Sequence, residues 1–182
     1  MAPKKEMTQE ALLEAGMRLL KKKSDINARS LAKEANCSTQ PIYDLFGSME
    51  EYGLFLTKSI RRDYYGFIQN EMKKPGSLFM NCLKGYISYA VEKPEFFYRI
   101  FVLNPREDSK EDEAFDDAIV TGIQKAGGYS KKAAFDFFIQ SWVFAHGLAM
   151  QVLQNYTKYS KDEIDYLLQN QFEALKNYYR GK

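Results

Sequence analysis

The chain has 182 residues, enough for one sizeable core or for a small domain joined to a larger one. Its net charge of +2 is too small to point to nucleic acid by itself, and residues 1–50 hold only eight Lys/Arg against seven Asp/Glu. There are no sustained period-two runs and no Asn-Gly or Asp-Gly hairpin turns, so a β architecture is excluded and an all-α fold of about nine helices is predicted. Cys37 and Cys82 are lone cysteines on predicted helices, which suits a reduced, cytoplasmic compartment rather than a disulfide framework. No apolar segment resembling a signal peptide follows the start, and the most apolar stretch, 135–153, is interrupted by Gln140, Ser141, His146 and Gln151, so no membrane span is expected. With one histidine, no Ser-His-Asp order, no phosphate loop and no metal-ligand spacing, an enzyme is the least supported class, and no metal or cofactor is expected.

Lys4 and Lys5 form a short basic arm, either a solvated start or a contact to phosphate or minor groove. A first helix is predicted over 8–22, capped by Thr8, with Leu12, Leu13, Gly16, Leu19 and Leu20 inward. Lys21, Lys22 and Lys23 fall at its C-terminus, where cations suit the helix dipole. Asn27 caps a second helix whose apolar face is Ala28, Leu31, Ala32 and Ala35, and Asn36 ends it in the left-handed conformation. Ser38 is the expected N-cap of a third helix, with Pro41 in its first turn. On that helix Ile42, Leu45 and Phe46 point one way, and Thr39, Gln40, Tyr43 and Asp44 the other. This is the layout of a helix-turn-helix recognition element; an ordinary helical hairpin with a solvated outer face has the same spacing.

Four pieces in order break that tie. They are Ala11-Leu12-Leu13-Glu14-Ala15, Leu31-Ala32-Lys33-Glu34-Ala35, Ser38-Thr39-Gln40-Pro41-Ile42-Tyr43 and Phe46-Gly47-Ser48. Together they resemble the N-terminal domain of the TetR (tetracycline-repressor-like) family of bacterial transcriptional regulators. The resemblance implies a phosphate contact for Arg29 and a backbone contact for Tyr43, which position the domain. Gln40 can pair bidentately with adenine, and Thr39 can reach a base or a thymine methyl. The expected DNA-facing set is Asn27, Arg29, Ser38, Thr39, Gln40, Tyr43, Asp44 and Ser48. Two positions depart from the family: Leu45 stands where His or Tyr is common, and Met49 where Lys is common. Both remove phosphate donors, and Asp44 adds a carboxylate that needs a cytosine amine or a nearby cation. Modest affinity and a shallow salt dependence follow.

A fourth helix opens with Ser48 and Glu51 as a capping box and carries Leu54, Phe55, Ile60, Tyr64, Phe67, Ile68 and Met72 to Lys74. At about 25 residues it spans roughly 38 Å, long enough to link a head at 1–50 to a body at 51–182. The resemblance makes it a lever. In the body, a fifth helix runs from Leu78 to Ala90, and Pro94 opens a sixth carrying Phe96, Phe97, Ile100 and Phe101. Residues 104–109 make a polar loop, and a seventh helix over 110–125 closes at Gly127-Gly128. Ser130 caps an eighth running to about Tyr156, and Ser160 with Glu163 opens the last, toward Tyr179.

The spacing Trp142-x-x-x-His146-Gly147 resembles one subclass of the family's C-terminal domain. His146 reads as packed and hydrogen-bonded, and Gly147, at about 1 kcal/mol against Ala, as a close approach of another helix. Tyr86, Tyr89, Phe97, Phe101, Trp142 and His146 are the candidate lining of a small-molecule pocket. An apolar stripe of Ile164, Leu167, Leu168, Phe172, Leu175 and Tyr179, with Phe138, Trp142, Ala149 and Leu153, is either internal core or one half of a four-helix dimer interface. The resemblance implies a ligand-responsive repressor that binds a palindromic double-stranded operator as a homodimer and is released by an inducer. The competing reading is a helical ligand-binding or scaffolding protein that has lost its DNA target.

Overall fold

Three short helices make a head that sits on the first turns of a long one. The computed structural model describes residues 7–103 and 110–180, so the Lys4–Lys5 arm and the 104–109 loop lie outside the described residues. Helix α1 (Gln9–Lys21) begins at Thr8, whose hydroxyl accepts from the Ala11 N–H at 3.2 Å, and buries Leu12, Ala15, Gly16 and Leu19 along one stripe. Helix α2 (Ala28–Glu34) is capped reciprocally: Asn27 Oδ1 accepts from the Ser30 N–H, and Ser30 Oγ from the Asn27 N–H, both at 3.0 Å. Asn36 takes φ +54°, the left-handed turn expected of it.

Helix α3 (Gln40–Phe46) follows with Ile42 buried against the head. Ser38 does not cap it: Thr39 holds the N-cap position and makes no side-chain cap bond. Pro41 stands in the first turn without an N–H, so one of the donors a cap would serve is already gone. Helix α4 (Met49–Met72, 24 residues) starts at Ser48, which accepts from the Glu51 N–H at 3.1 Å; only this half of the expected capping box forms.

Tyr52 and Leu56 of α4 are fully buried against α1, so the head's core reaches past the expected division at residue 50. Leu54, expected inward, is partly exposed because Tyr52 and Leu56 take the inner face. Below the head come α5 (Leu78–Glu92), α6 (Pro94–Tyr98), a π-helical turn (Arg99–Leu103), α7 (Lys110–Gly127), α8 (Lys131–Leu153) and α9 (Lys161–Tyr179). Among the described residues there is no strand, and the fold is all-α.

Helix α5 is the body's axis: α4 packs along one side and α8 along the other, with α7 and α9 flanking. It is apolar nearly all round, which is what burial on several sides requires. Its Cys82 is an inert packing residue, since burial pushes the thiol up to about 12. At Gly85 a Cβ would lie 2.9 Å from Glu71 Cβ, so α4 and α5 approach closely there. Gly147 does not mark such an approach: it is exposed, and among the described residues nothing beyond its own stretch of helix lies within 4 Å of where its Cβ would be. Helix α8 also stops at Leu153, short of Tyr156, where Asn155 turns left-handed at φ +53°.

Candidate nucleic-acid interface

The outer face of α3 is held from behind. Ile42 is fully buried, Leu45 and Phe46 are half-buried, and the Phe46 ring meets Tyr52 edge-on at 5.2 Å and Phe55 at 5.1 Å. Gln40, Tyr43 and Asp44 stand exposed, with Thr39 half-buried at their edge. Ser38 and Asn27 are exposed and Ser48 half-buried on flanking turns, and Arg29 is exposed in the first turn of α2. Asn27 Oδ1 is occupied by the N–H groups of Arg29 and Ser30, so this residue offers DNA only its amide donors. Ser48 likewise spends its acceptor on its own helix and keeps its O–H to give.

Asp44 has a partner other than the two expected of it. Gln40 donates from Nε2 to Asp44 Oδ1 at 2.8 Å, four residues along the same helix. An amide nitrogen has two hydrogens, so one can bind Asp44 while the other, with Oε1, remains for a base edge. The contact with the carboxylate orients the Gln40 amide on the exposed face of the helix.

The basic end of α1 is exposed but makes contacts within the chain. Lys22 and Arg18 hold Glu34 of α2 at 2.6 and 2.8 Å, and the bond from Lys22, then that from Arg18, keeps this carboxyl below its usual range. Lys21 lies 5.7 Å from the Phe96 ring and Lys23 3.8 Å from Glu95, both contacts reaching the body at α6. For Lys21 and Lys23 the expected dipole role is thus joined by contacts from α1 to α6. Arg29 and Lys33 are exposed cations left on α2.

Three further contacts fasten the long helix, and sequence reasoning missed all of them. The buried Tyr52 hydroxyl donates to the Leu12 carbonyl at 2.9 Å; burial raises this phenol to about 12, against an opposing pull from Arg99. Arg99, in the π turn, donates from Nε to Thr57 Oγ1 at 3.1 Å and from Nη2 to the Gly53 carbonyl at 3.2 Å. Asp63 accepts from the Tyr89 hydroxyl at 2.9 Å and from Lys93 Nζ at 2.7 Å, joining α4 to α5. The one available sequence signal was Gly16, a glycine inside a helix, which now faces the Tyr52 hydroxyl.

No family model matches the chain, and no curated protein matches it by sequence. Solved structures do match. A candidate transcriptional regulator from Pseudomonas aeruginosa PAO1 superposes with a TM-score of 0.65 at 16% identity, over 93% of this chain and 90% of that one. A TetR-like transcriptional regulator from Rhodococcus sp. RHA1 superposes with a TM-score of 0.63 at 12% identity, over 96% of each. The chain has the TetR-like fold.

Within this TetR-like fold the expected pocket residues pack against one another. Tyr86, Phe97 and Phe101 meet at ring distances of 4.7 to 5.1 Å, and Trp142 stacks on His146 at 5.2 Å. Tyr86, Phe101 and Trp142 border a void of about 20 Å³, room for a water and not for an inducer. Phe97 and His146 do not line this void, and Tyr89 turns away to Asp63, so the six residues do not share this one void. The bulky rings fill the space they were expected to wall.

The Tyr86 hydroxyl sits 2.7 Å from His146 Nδ1, which makes His146 the packed, hydrogen-bonded histidine expected. Burial holds its pKa below the usual 6.5. A neutral imidazole in the fold and an ordinary one in the unfolded chain mean that the unfolded state takes up protons first as pH falls below about 6.5. Stability contributed here is present above that pH and lost between it and the lower folded value. In thermal melts from pH 7.5 to 5.5, wild type should lose more stability than His146→Asn; parallel pH curves would remove His146 from this role.

Of the expected dimer residues, Phe138, Ala149 and Leu168 lie inside the protomer's own core and have no surface to offer a second copy. Leu153, Ile164, Phe172 and Leu175 are half-buried. The outward faces of the same two helices carry other apolar residues. On α8 they are Phe135, Ile139 and Val143, exposed by 52, 37 and 56%; on α9 they are Tyr166 and Tyr178, exposed by 67 and 61%.

Proposed function

We propose that this chain is a transcriptional regulator that binds duplex DNA through α3 as a homodimer. The observation that carries the reading is the exposed Gln40–Tyr43–Asp44 face, backed by the buried Ile42, at the head of a TetR-like fold. Gln40 reads a base edge, Asp44 orients it, Tyr43 and Arg29 meet the backbone, and the neighbouring Thr39 adds an apolar or hydroxyl contact. The regulator works in the compartment that holds its DNA, acts as a repressor at a palindromic operator, and catalyses no reaction.

Dimerisation supplies the second head. The exposed row Phe135, Ile139, Val143 and Gly147 recurs every four residues on α8, and Tyr166 and Tyr178 are exposed on α9. Two copies related by a two-fold axis bury these rows against each other and seat two recognition helices about one helical turn of DNA apart, near 34 Å. The open space at Gly147 then admits the partner's helix. A second reading, a helical protein without a DNA target, draws support from the internal commitment of Lys21, Lys22 and Lys23.

Selection of bound genomic fragments followed by gel shift at two salt concentrations separates the two readings. A regulator retains a small set of related palindromic fragments; uniform weak retention supports the second reading. On a retained fragment, Gln40→Ala should relax discrimination at one base pair by about 1–3 kcal/mol. Asp44→Ala should relax the same base pair, since it frees Gln40 to rotate, and a change at a different position would contradict the orienting role. Tyr43→Phe should weaken all sequences alike.

A further inference from the structure

Beyond the filled aromatic centre, the molecule contains a second and far larger space. A cavity of about 640 Å³ opens between the N-terminal end of α5, the C-terminal end of α7, and α8 and α9. Its volume lies within the range of sites for small organic ligands. Phe79, Phe137 and Phe172 form one wall, with ring centroids 5.5 to 6.3 Å apart. Ile119 and Ile123 of α7 form another.

The charged residues of this lining, Lys125 and Lys176, are both cationic and both exposed. Lys176 also meets Glu173 at 3.4 Å, an exposed contact that a ligand carboxylate can replace. At Gly127 a Cβ would run into the Tyr129 ring, which lies across the helix end and stacks on Phe137 at 5.8 Å. The absence of a side chain at Gly127 lets Tyr129 form part of the cavity wall.

We propose that this cavity binds an amphipathic carboxylate, its apolar body against the three phenylalanines and its carboxylate between Lys125 and Lys176. The aromatic walls take hydrocarbon, and the cationic rim selects an anion over a neutral or cationic amphiphile. The site also suggests how occupancy is passed on. Phe79 and Ile119 face both this cavity and the void of about 20 Å³ bordered by Tyr64 of α4 and by Trp142. A ligand pressing on Phe79 has that void to move it into, toward the helix that carries the head. This regulatory step rests on the DNA-binding reading above; the binding step does not.

Trp142 is the sole tryptophan and borders the void, so its emission reports the event directly. Purified full-length protein is titrated with dodecanoate and with 1-dodecanol, following Trp142 emission and heat. Saturable binding of dodecanoate in the micromolar range is expected, with 1-dodecanol weaker by about tenfold or more. The double variant Lys125→Glu, Lys176→Glu should bind dodecanoate about tenfold or more weakly.

Gly122→Phe is the decisive variant. Gly122 lines the cavity and has open space where its Cβ would go, so a phenyl ring there fills the site without a clash at the backbone. It should abolish binding while the melting temperature holds or rises, because glycine is a poor helix former. Absence of saturable dodecanoate binding overturns the proposal, as does binding that survives both the charge reversal and Gly122→Phe. If dodecanoate binds with these losses but leaves retention of the selected DNA unchanged, the site stands and the regulatory step falls.

Discussion

Gly16→Ala should destabilise the protein by about 1–3 kcal/mol, although the same change in most helix interiors stabilises by about 1 kcal/mol. The reversal comes from Tyr52. A methyl group on Gly16 would occupy the position of the Tyr52 hydroxyl, and Leu56 packs 3.4 Å from the same point. The ring is fully buried, so it can yield only by disturbing its edge-on contact with Phe46 and giving up its bond to the Leu12 carbonyl. Overpacking of this kind costs about 1–3 kcal/mol and a lost buried hydrogen bond about 1, against which helix propensity returns about 1.

The test is a double-mutant cycle in urea. Tyr52→Phe removes the clashing oxygen and leaves the ring carbon 3.2 Å from the new methyl, a distance that small shifts accommodate. In that background Gly16→Ala should cost far less or become favourable, giving a coupling of about 1 kcal/mol or more. Equal costs in the two backgrounds would mean that Tyr52 is not what excludes a side chain at position 16. Because this contact joins α1 to α4, Gly16→Ala should also loosen the head, raising hydrogen exchange in α1 more than in α8.

What the sequence made legible was local, and what it hid was tertiary. Asn27, Asn36 and Pro41 each fix a backbone state within a few residues, so the turn and the third helix could be placed from spacing alone. The capping boxes show the same rule at finer grain. Ser160 and Glu163 form both bonds as predicted, whereas Ser48 and Glu51 form one, since nothing in the tetrapeptide decides whether the glutamate folds back or faces water. The π turn at Arg99–Leu103 was invisible because its reason lies some forty residues away, in the bonds from Arg99 to Gly53 and Thr57.

The close packing of the expected pocket residues was hidden for a related reason. A count of aromatic residues says that large rings are present, not whether they leave space. Here Tyr64, Tyr86 and Phe101 close on each other edge-on, with centroids 5.0 to 6.1 Å apart, and the cavity opens instead where Gly122 and Gly127 thin the end of α7. The expected dimer stripe mixed inner and partly exposed residues because α8 and α9 each carry two apolar faces. Periodicity identifies a face but not its direction, and Phe138, Ala149 and Leu168 proved to be the inner set.

That inner and outer division gives the second large prediction, Val143→Arg. Val143 is exposed in the protomer, and arginine is a good helix former, so the variant should fold with an unchanged melting curve at low concentration. In the pair proposed above the two copies of position 143 would fall near the axis, and the variant would bury like charges without partners. A loss of about 2–4 kcal/mol in association follows, enough to leave a monomer in sedimentation at micromolar concentration. A lone head no longer benefits from the tethered second one, so affinity for a palindromic fragment should fall by about 100-fold or more.

Phe138→Ala makes the opposing case. It truncates a ring that is buried in the protomer, and should cost about 3–5 kcal/mol of folding stability while the folded fraction still dimerises. The two variants thus separate the faces of α8: one breaks assembly and spares the fold, the other weakens the fold and spares assembly. If Val143→Arg remains dimeric, the proposed pairing through the Phe135–Val143 row is wrong, and any spacing of two α3 helices must be derived from a different surface.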